Sequence, residues 1–204
     1  MPLALSALCF LPFLASAAVL AVPRAGTNTS AWIAGIVSAL LGVVTIAMFP
    51  YVADGGVVTH HIEWIPQLGL NLTLRMDGLA WLFSILITII GALVVAYARY
   101  YMSPQDPIAR FFALLMAFMG AMMGLVMAGN IIQLAIFWEM TSLVSFLLIG
   151  YWYHRGDARD GARMALILTG AGGLALLVAM MLIGHIVGSY ELDVVLASGS
   201  MIVD

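Results

Sequence analysis

Glu139 is the residue of this sequence whose position points most directly to chemistry. It is the single charged side chain in an apolar stretch that runs from 111 to 154. A charged residue at the centre of a membrane helix costs about 2.5–3.5 kcal/mol on insertion scales, and such residues commonly mark the path of an ion or a proton. Two interpretations stand: Glu139 exchanges protons, or it is a neutral acid that fastens a neighbouring helix by a hydrogen bond.

Three hydroxyl side chains, Thr141, Ser142 and Ser145, follow Glu139 within two helical turns. At about 100° per residue, Ser142 lies about 60° around the helix from Glu139, and Ser145 lies about 120° from it. A hydroxyl beside a buried carboxylate can hold a water molecule or pass a proton. We therefore predict that the three residues support Glu139, although a plain packing role for Ser142 agrees equally well with the sequence.

The remaining candidates are weaker. His185 falls near the end of the last apolar stretch, where it is either a proton exit or an ordinary interfacial histidine. His60 and His61 are more typical of a solvated loop than of a metal site. The sequence contains no Gly-rich phosphate loop, Cys/His cluster, haem ligand pair or nucleophile triad. We predict that the protein is not an enzyme and holds no cofactor and no metal.

The composition places these residues in a membrane. Hydrophobic residues make up 64% of the 204 positions and charged residues only 8%, and the mean hydropathy is +1.12. Soluble domains carry roughly 25% charged residues, so this chain cannot cover itself against water. A soluble enzyme, a nucleic-acid-binding protein and a disordered chain are excluded, and the bilayer is the predicted surroundings.

Apolar runs of about 20 residues each match the thickness of a bilayer. The first lacks the basic start of a signal peptide, which favours a retained helix. The 44 residues of 111–154 are too long for one crossing, and we expect a fold-back at 128–130, where Gly129 and Asn130 tolerate the left-handed conformation. Six helices are predicted, at 3–22, 31–50, 78–97, 111–128, 131–151 and 164–187.

The basic residues predict the orientation. The sequence has no Lys, and six of its seven Arg fall in the loops on one side of the predicted helices, leaving only Arg75 on the other. By the positive-inside rule the six-Arg side is cytoplasmic and the N-terminus lies outside. None of these Arg reaches membrane depth, so the counter-charge of Glu139 comes either from another chain or from a longer version of this one.

Residues 60–76 between the second and third helices alternate apolar and polar side chains from Ile62 onward. Period two is typical of β-strands, and the segment 66–69 suggests a bend. We predict an amphipathic β-hairpin on the outer side, resting on helices or on a neighbouring subunit. The chain then divides into 1–110 with the first three helices and the hairpin, 111–187 with the last three helices, and an outer tail at 188–204.

Two segments carry a resemblance to a known family. They are 77–83 (DGLAWLF) and, above all, 137–152, with FWEMTS followed by SFLLIGYW. Here the chain resembles the N-terminal part of the large A-type subunit of the Mrp (Pha/Mnh) multisubunit Na⁺/H⁺ antiporters, which are related to the antiporter-like membrane subunits of respiratory complex I. Because A-type subunits have fourteen or more helices, the chain is expected to be a fragment, the front part of an antiporter-like bundle.

The resemblance implies a function and a setting. Glu139 corresponds to the essential glutamate of the fifth helix, which pairs with a lysine beyond Asp204, and residues 111–187 begin the proton-translocating module. The implied protein is a subunit of a proton-coupled antiporter for Na⁺ or another monovalent cation, with partner subunits of the B to G type, in the bacterial cytoplasmic (inner) membrane. Two alternatives remain: a proton-pumping subunit of a complex I-type or hydrogenase complex, and a non-transporting membrane scaffold.

Overall fold

The architecture is a bundle of α-helices with one small β-hairpin. The computed structural model describes residues 1–21, 27–65, 67, 70–103 and 106–199. In chain order the elements are α1 (Pro2–Ala21), α2 (Thr27–Ala47), α3 (Phe49–Val52), β1 (Val58–Ile65), β2 (Leu70–Met76), α4 (Gly78–Tyr101), α5 (Ile108–Val126), α6 (Ile131–Ile149), α7 (Gly156–Val187) and α8 (Leu192–Ala197).

Six helices are long and apolar enough to cross a membrane: α1, α2, α4, α5, α6 and α7. The shortest have 19 residues, which at about 1.5 Å per residue span about 28 Å, close to the hydrocarbon thickness. The predicted all-α membrane fold with six helices and a hairpin is confirmed. We call the end that carries the strands the hairpin end, and the opposite end, where α4 ends and α5 begins, the arginine end.

The last membrane helix is longer than the sequence predicted. It was expected at 164–187, whereas α7 already begins at Gly156. Its first two turns carry exposed charged side chains, among them Asp157 and Arg159. An acidic residue in the first turn favours helix formation through the helix dipole, so these turns stay helical outside the apolar region. Apolarity marks where a helix enters lipid and not where it begins.

The core lies among the first four membrane helices, with α5 at its centre. Helix α5 packs against α1, α2, α4 and α6, whereas α7 packs mainly against α6. The methionines of α5 fill this core, as expected of an unbranched and adaptable side chain. Those that are buried are Met116, Met119 and Met123, together with Met127 just beyond the helix.

The fold-back between α5 and α6 occurs at 128–130 as predicted, but for a different physical reason. Neither Gly129 nor Asn130 has the left-handed backbone conformation. Asn130 has φ −129°, and the positive-φ glycines of the described chain are Gly55 and Gly188. Instead, the Asn130 side chain caps α6 by accepting from the N–H groups of Ile132 and Gln133. Gly129 is required by space, because a Cβ there would lie 2.6 Å from Thr73 Cγ2.

The predicted hairpin is present, and its two strands differ in burial. Strands β1 and β2 pair antiparallel, with Val58 opposite Met76 and a register shift between Ile62 and Ile65. Leu74 and Met76 of β2 are fully buried, while Trp64 of β1 is 62% exposed. The hairpin therefore rests on the helices through β2. The predicted bend at 66–69 falls outside the described residues except for Gln67.

Candidate functional site

The Glu139 carboxyl lies between α6 and α7, near the middle of both helices. Its Oε1 atom is buried and has no hydrogen-bond partner in the described part of the chain. It faces Gly173 of α7 so closely that a Cβ at Gly173 would overlap Oε1. The Glu139 carboxyl can therefore lie here only because Gly173 has no side chain. A Cβ at Gly170 or Gly172, by contrast, would have no atom of the described chain within 4 Å.

The nearby hydroxyls are bonded to the backbone rather than to the carboxyl. Thr141 Oγ1 donates to the carbonyl oxygen of Trp138 at 2.7 Å, and Ser142 Oγ donates to the same oxygen at 3.3 Å. Ser142 is buried, and Ser145 is half-buried one turn further along. Hydroxyl oxygens that donate in this way keep their lone pairs for accepting. The predicted grouping of these residues around Glu139 is therefore one of position, without a direct hydrogen bond.

A second polar group, missed by the sequence analysis, lies at the hairpin end. We call it the Glu191 cluster, and its members are Asn71, Thr73, Asn130, Gln133 and Glu191. Thr73 Oγ1 donates to Glu191 Oε2 at 2.9 Å, while the Asn71 and Asn130 amides donate to Glu191 Oε1 at 3.4 and 3.3 Å. The Gln133 side-chain oxygen accepts from the Thr73 N–H at 2.9 Å. A signal for it existed, since all five residues are polar and fall on one side of the predicted helices.

Backbone hydrogen bonds join the three segments that carry this cluster. Gly129 N–H donates to the Thr73 carbonyl at 2.7 Å, and Leu192 N–H donates to the Gly129 carbonyl at 2.8 Å. Strand β2, the α5–α6 turn and the segment after α7 are thereby tied side by side. Thr73, on the polar side of β2, is buried, because the turn and the segment after α7 lie against it.

A group of ion-paired side chains also lies at the hairpin end. The Arg75 guanidinium contacts the Asp77 carboxylate and donates from Nε to Asp193 Oδ1 at 2.8 Å. Asp77 also caps α4 by accepting from the Ala80 N–H. Burial alone would raise the pKa of the Asp77 carboxyl, but the Ala80 N–H and the Arg75 guanidinium outweigh it and hold that pKa below its ordinary value.

His185 lies away from Glu139 and close to the Glu191 cluster. It is exposed and lines an open cavity of about 390 Å³ together with Asn71, Tyr190 and Glu191. Gly173, which faces Glu139, is twelve residues earlier on α7, or about 18 Å along the helix axis. The structure thus puts His185 at the hairpin end of the bundle and does not bring it together with Glu139.

The described residues contain no group of three or more His, Cys, Asp or Glu side chains that could hold a metal ion. What the arrangement offers chemically is a half-buried acid between two helices, Glu139, whose Oε1 atom is buried, and a polar opening at the hairpin end, beside Glu191. Such a pattern is suited to moving a proton or a small cation.

Two stretches of the chain match families of known membrane subunits. Residues 63–112 match the N-terminus of chain 5 of NADH-ubiquinone oxidoreductase (complex I), and residues 128–202 match the transmembrane family of NADH:quinone oxidoreductases and Mrp antiporters. In sequence and fold this chain is similar to the N-terminal part of such antiporter-like subunits. The resemblance carried by the segments 77–83 and 137–152 is confirmed.

The similar curated proteins are named as antiporter subunits. The chain is 58% identical over 198 residues to a probable K⁺/H⁺ antiporter A/B-type subunit of Rhizobium meliloti, covering 97% of this chain and 20% of that protein. It is 40% identical over 162 residues to the A-type subunit of the Na⁺/H⁺ antiporter of Alkalihalophilus pseudofirmus, covering 79% of this chain and 20% of that protein. The chain spans about a fifth of the length of these relatives.

The fold is found in a solved antiporter complex. A chain of the Mrp complex from Dietzia sp. DQ12-45-1b superposes with a TM-score of 0.77 and 29% identity, over 94% of this chain and 20% of that one. With six helices long and apolar enough to cross a membrane, this chain is a multi-pass membrane protein, and the similar curated proteins are named as antiporter subunits.

Proposed function

We propose that this antiporter-like chain is part of a subunit that exchanges protons for a monovalent cation, with Glu139 as the proton-carrying group. The observation that carries the proposal is the Glu139 Oε1 atom, buried against Gly173 without a partner among the described residues. A carboxylate left unpaired in an apolar region is costly, and similar proteins are named as cation/proton antiporter subunits. A carboxyl that must bind and release a proton has to stay without a fixed partner, which accounts for this free-energy cost.

The mechanism follows from the surroundings of the carboxyl. A cation that approaches Glu139 favours the ionised form and releases its proton, and departure of the cation lets the carboxyl take up a proton again. The route of the proton is hydrated because the hydroxyl oxygens of Thr141, Ser142 and Ser145 can accept hydrogen bonds from water. His185 and the cavity that it lines form the exit at the hairpin end. The counter-charge is supplied by protein outside these 204 residues. No cofactor is involved, and H⁺ and the cation are the transported species.

The setting we propose is the bacterial cytoplasmic (inner) membrane, with the N-terminus outside and with B- to G-type subunits as partners. The arginine end then faces the cytoplasm, because it carries Arg99, Arg110 and the three Arg of 155–163. The cation is either K⁺ or Na⁺, since the two relatives described above are named for different ions.

The direct test is transport in everted vesicles from cells that lack their own antiporters and express the complete complex. After respiration has acidified the vesicle interior, addition of K⁺ or Na⁺ is expected to release protons from it, seen as recovery of a pH-sensitive acridine fluorescence. Vesicles without the complex serve as the control. Fluorescence that stays quenched with both cations contradicts antiport.

A second function is favoured by one specific finding, the match of residues 63–112 to a complex I chain. In that case the same bundle pumps protons with redox energy. Proton movement that requires an electron donor and a quinone, and that does not respond to K⁺ or Na⁺, would support this alternative, whereas salt-sensitive growth after deletion of the chain would support antiport.

A further inference from the structure

A cavity at the arginine end takes no part in the proposed transport. It has a volume of about 240 Å³ and lies where α5, α6 and α7 meet. We call it the basic pocket, and the residues that define it are Arg110, Phe146, Leu147, Tyr153, Arg159 and Arg163. Three arginine residues thus line one small cavity, and none of the described residues that line it is acidic.

The acidic side chains nearby leave this positive charge largely uncompensated. Asp157 pairs with Arg155 at 2.8 Å, outside the pocket. Asp106 accepts from the Trp152 indole N–H. Asp160 lies 3.9 Å from Arg163, but both side chains are more than two-thirds exposed, and such a contact is worth little.

Within the described ranges, Arg159 forms no ion pair. Arg110 is held over the Tyr153 ring, 5.7 Å from its centroid, which orients its guanidinium without neutralising it. The residues that line the pocket therefore carry a net positive charge, and the ligand that suits them carries negative charge.

The pocket also has an apolar wall, at the level where a headgroup meets hydrocarbon. Arg110 lies in the first turn of α5, and Arg159 and Arg163 lie in the first two turns of α7, so all three residues belong to helix ends, where the polar layer of a membrane is expected. Phe146 and Leu147 belong to the last turn of α6. One turn deeper, Leu143 is 52% exposed, which continues an apolar track into the bilayer region.

We propose that the basic pocket binds the phosphate of an anionic phospholipid, with an acyl chain on the α6 track. Clustered basic residues between membrane helices at the cytoplasmic face recognise anionic headgroups, and guanidinium forks match phosphate oxygens. The apolar track favours a lipid over a free phosphate ion. The proposal concerns a binding site separate from Glu139, so it stands or falls independently of transport.

The test is lipid retention by the complete complex, measured by native mass spectrometry after titration with phosphatidylglycerol or phosphatidylcholine. The variant is Arg159→Gln with Arg163→Gln, and the matched control is Arg155→Gln, an arginine of the same helix start that lies outside the pocket. At about fivefold in affinity per basic residue, we expect the double variant to lose its preference for phosphatidylglycerol by about 25-fold, while the control keeps it. Inorganic phosphate should not displace the lipid.

A second measurement guards against indirect effects of the substitutions. Phosphatidylglycerol with a photoreactive group in its acyl chain should label Leu143 or Leu147 in the wild-type complex, and the labelling should fall in the double variant. An unchanged lipid preference in the double variant overturns the proposal. So does the loss of a partner subunit with lipid retention intact, which would assign the pocket to an acidic protein segment.

Discussion

At the scale of single residues, the Glu139 carboxyl is positioned by shape. Gly173 provides the space, and no hydrogen bond of the described residues reaches Oε1. The hydroxyls of Thr141 and Ser142 are occupied by the Trp138 carbonyl. The carboxyl is thus free to exchange partners, which a group locked by several hydrogen bonds would not be.

The space at Gly173 gives the first prediction. Gly173→Ala places a Cβ on the carboxyl oxygen and should displace it, so we expect antiport to fall, and overpacking of this kind should also lower the stability of the fold by about 1–3 kcal/mol. Gly172→Ala is the matched control, because it faces open space on the same helix. Equal antiport rates for the two variants in everted vesicles would contradict the importance of this contact.

This site was predictable in part. Glu139 could be found from the sequence because a charge in an apolar helix is anomalous in any packing arrangement. Gly173 could not be distinguished from Gly170 and Gly172, because the choice depends on the rotation of α7 about its axis. Glu191 was missed for a similar reason, since its partners in the hairpin and the α5–α6 turn are distant in sequence and meet only when the two segments pack together.

At the scale of elements, the hairpin end is held together by β2, the α5–α6 turn and the segment after α7. Asn130 takes part in two ways: its oxygen caps α6, and its amide donates to Glu191 Oε1. Loss of a helix cap costs about 1 kcal/mol, and loss of a hydrogen bond to a charged group costs about 1.5–3 kcal/mol more.

These two roles can be separated by substitution. Asn130→Ala should lower the unfolding temperature more than Asn130→Ser, because serine keeps a cap oxygen but has no amide to reach Glu191. The measurement is thermal unfolding of the purified protein in detergent, followed by tryptophan fluorescence. If both variants unfold at the wild-type temperature, Asn130 does not hold this end together.

The ion pair of Arg75 and Asp77 gives a pH dependence. Because the folded protein holds the pKa of Asp77 below its ordinary value of 3.8, the carboxylate stabilises the fold above that pH, and this stabilisation is lost as the pH falls through the lower folded value. We expect Asp77→Asn to unfold at a lower temperature than the wild type at pH 6, with the difference shrinking at about pH 3. A difference that is the same at both pH values would contradict the assignment.

At the scale of the whole molecule, the bundle has one basic end and one end built from polar networks and a hairpin. Hydropathy sufficed to predict the six helices, because lipid leaves the backbone few alternatives to a helix. Hydropathy could not predict where α7 begins, because its first turns carry exposed charged residues. It could not predict the burial of β2 either, because that burial depends on tertiary packing.

The two ends predict how single cysteines react from each side of the membrane. With Cys9 replaced by Ala, Asp54→Cys near the hairpin should react with a membrane-impermeant maleimide in intact cells. His154→Cys at the arginine end should react only in everted vesicles; both positions are exposed. The reverse pattern would show that the basic end lies outside and would overturn the orientation.

The proton-carrying role of Glu139 is the central claim, and Glu139→Gln in the complete complex tests it most directly. Glu63→Gln is the matched control, being the same change at an exposed position of β1. We predict that Glu139→Gln assembles normally on a native gel and loses cation-induced proton release from everted vesicles, while Glu63→Gln retains it. Near-normal antiport by an assembled Glu139→Gln complex would contradict the account, and a complex that fails to assemble would assign Glu139 to a scaffold role.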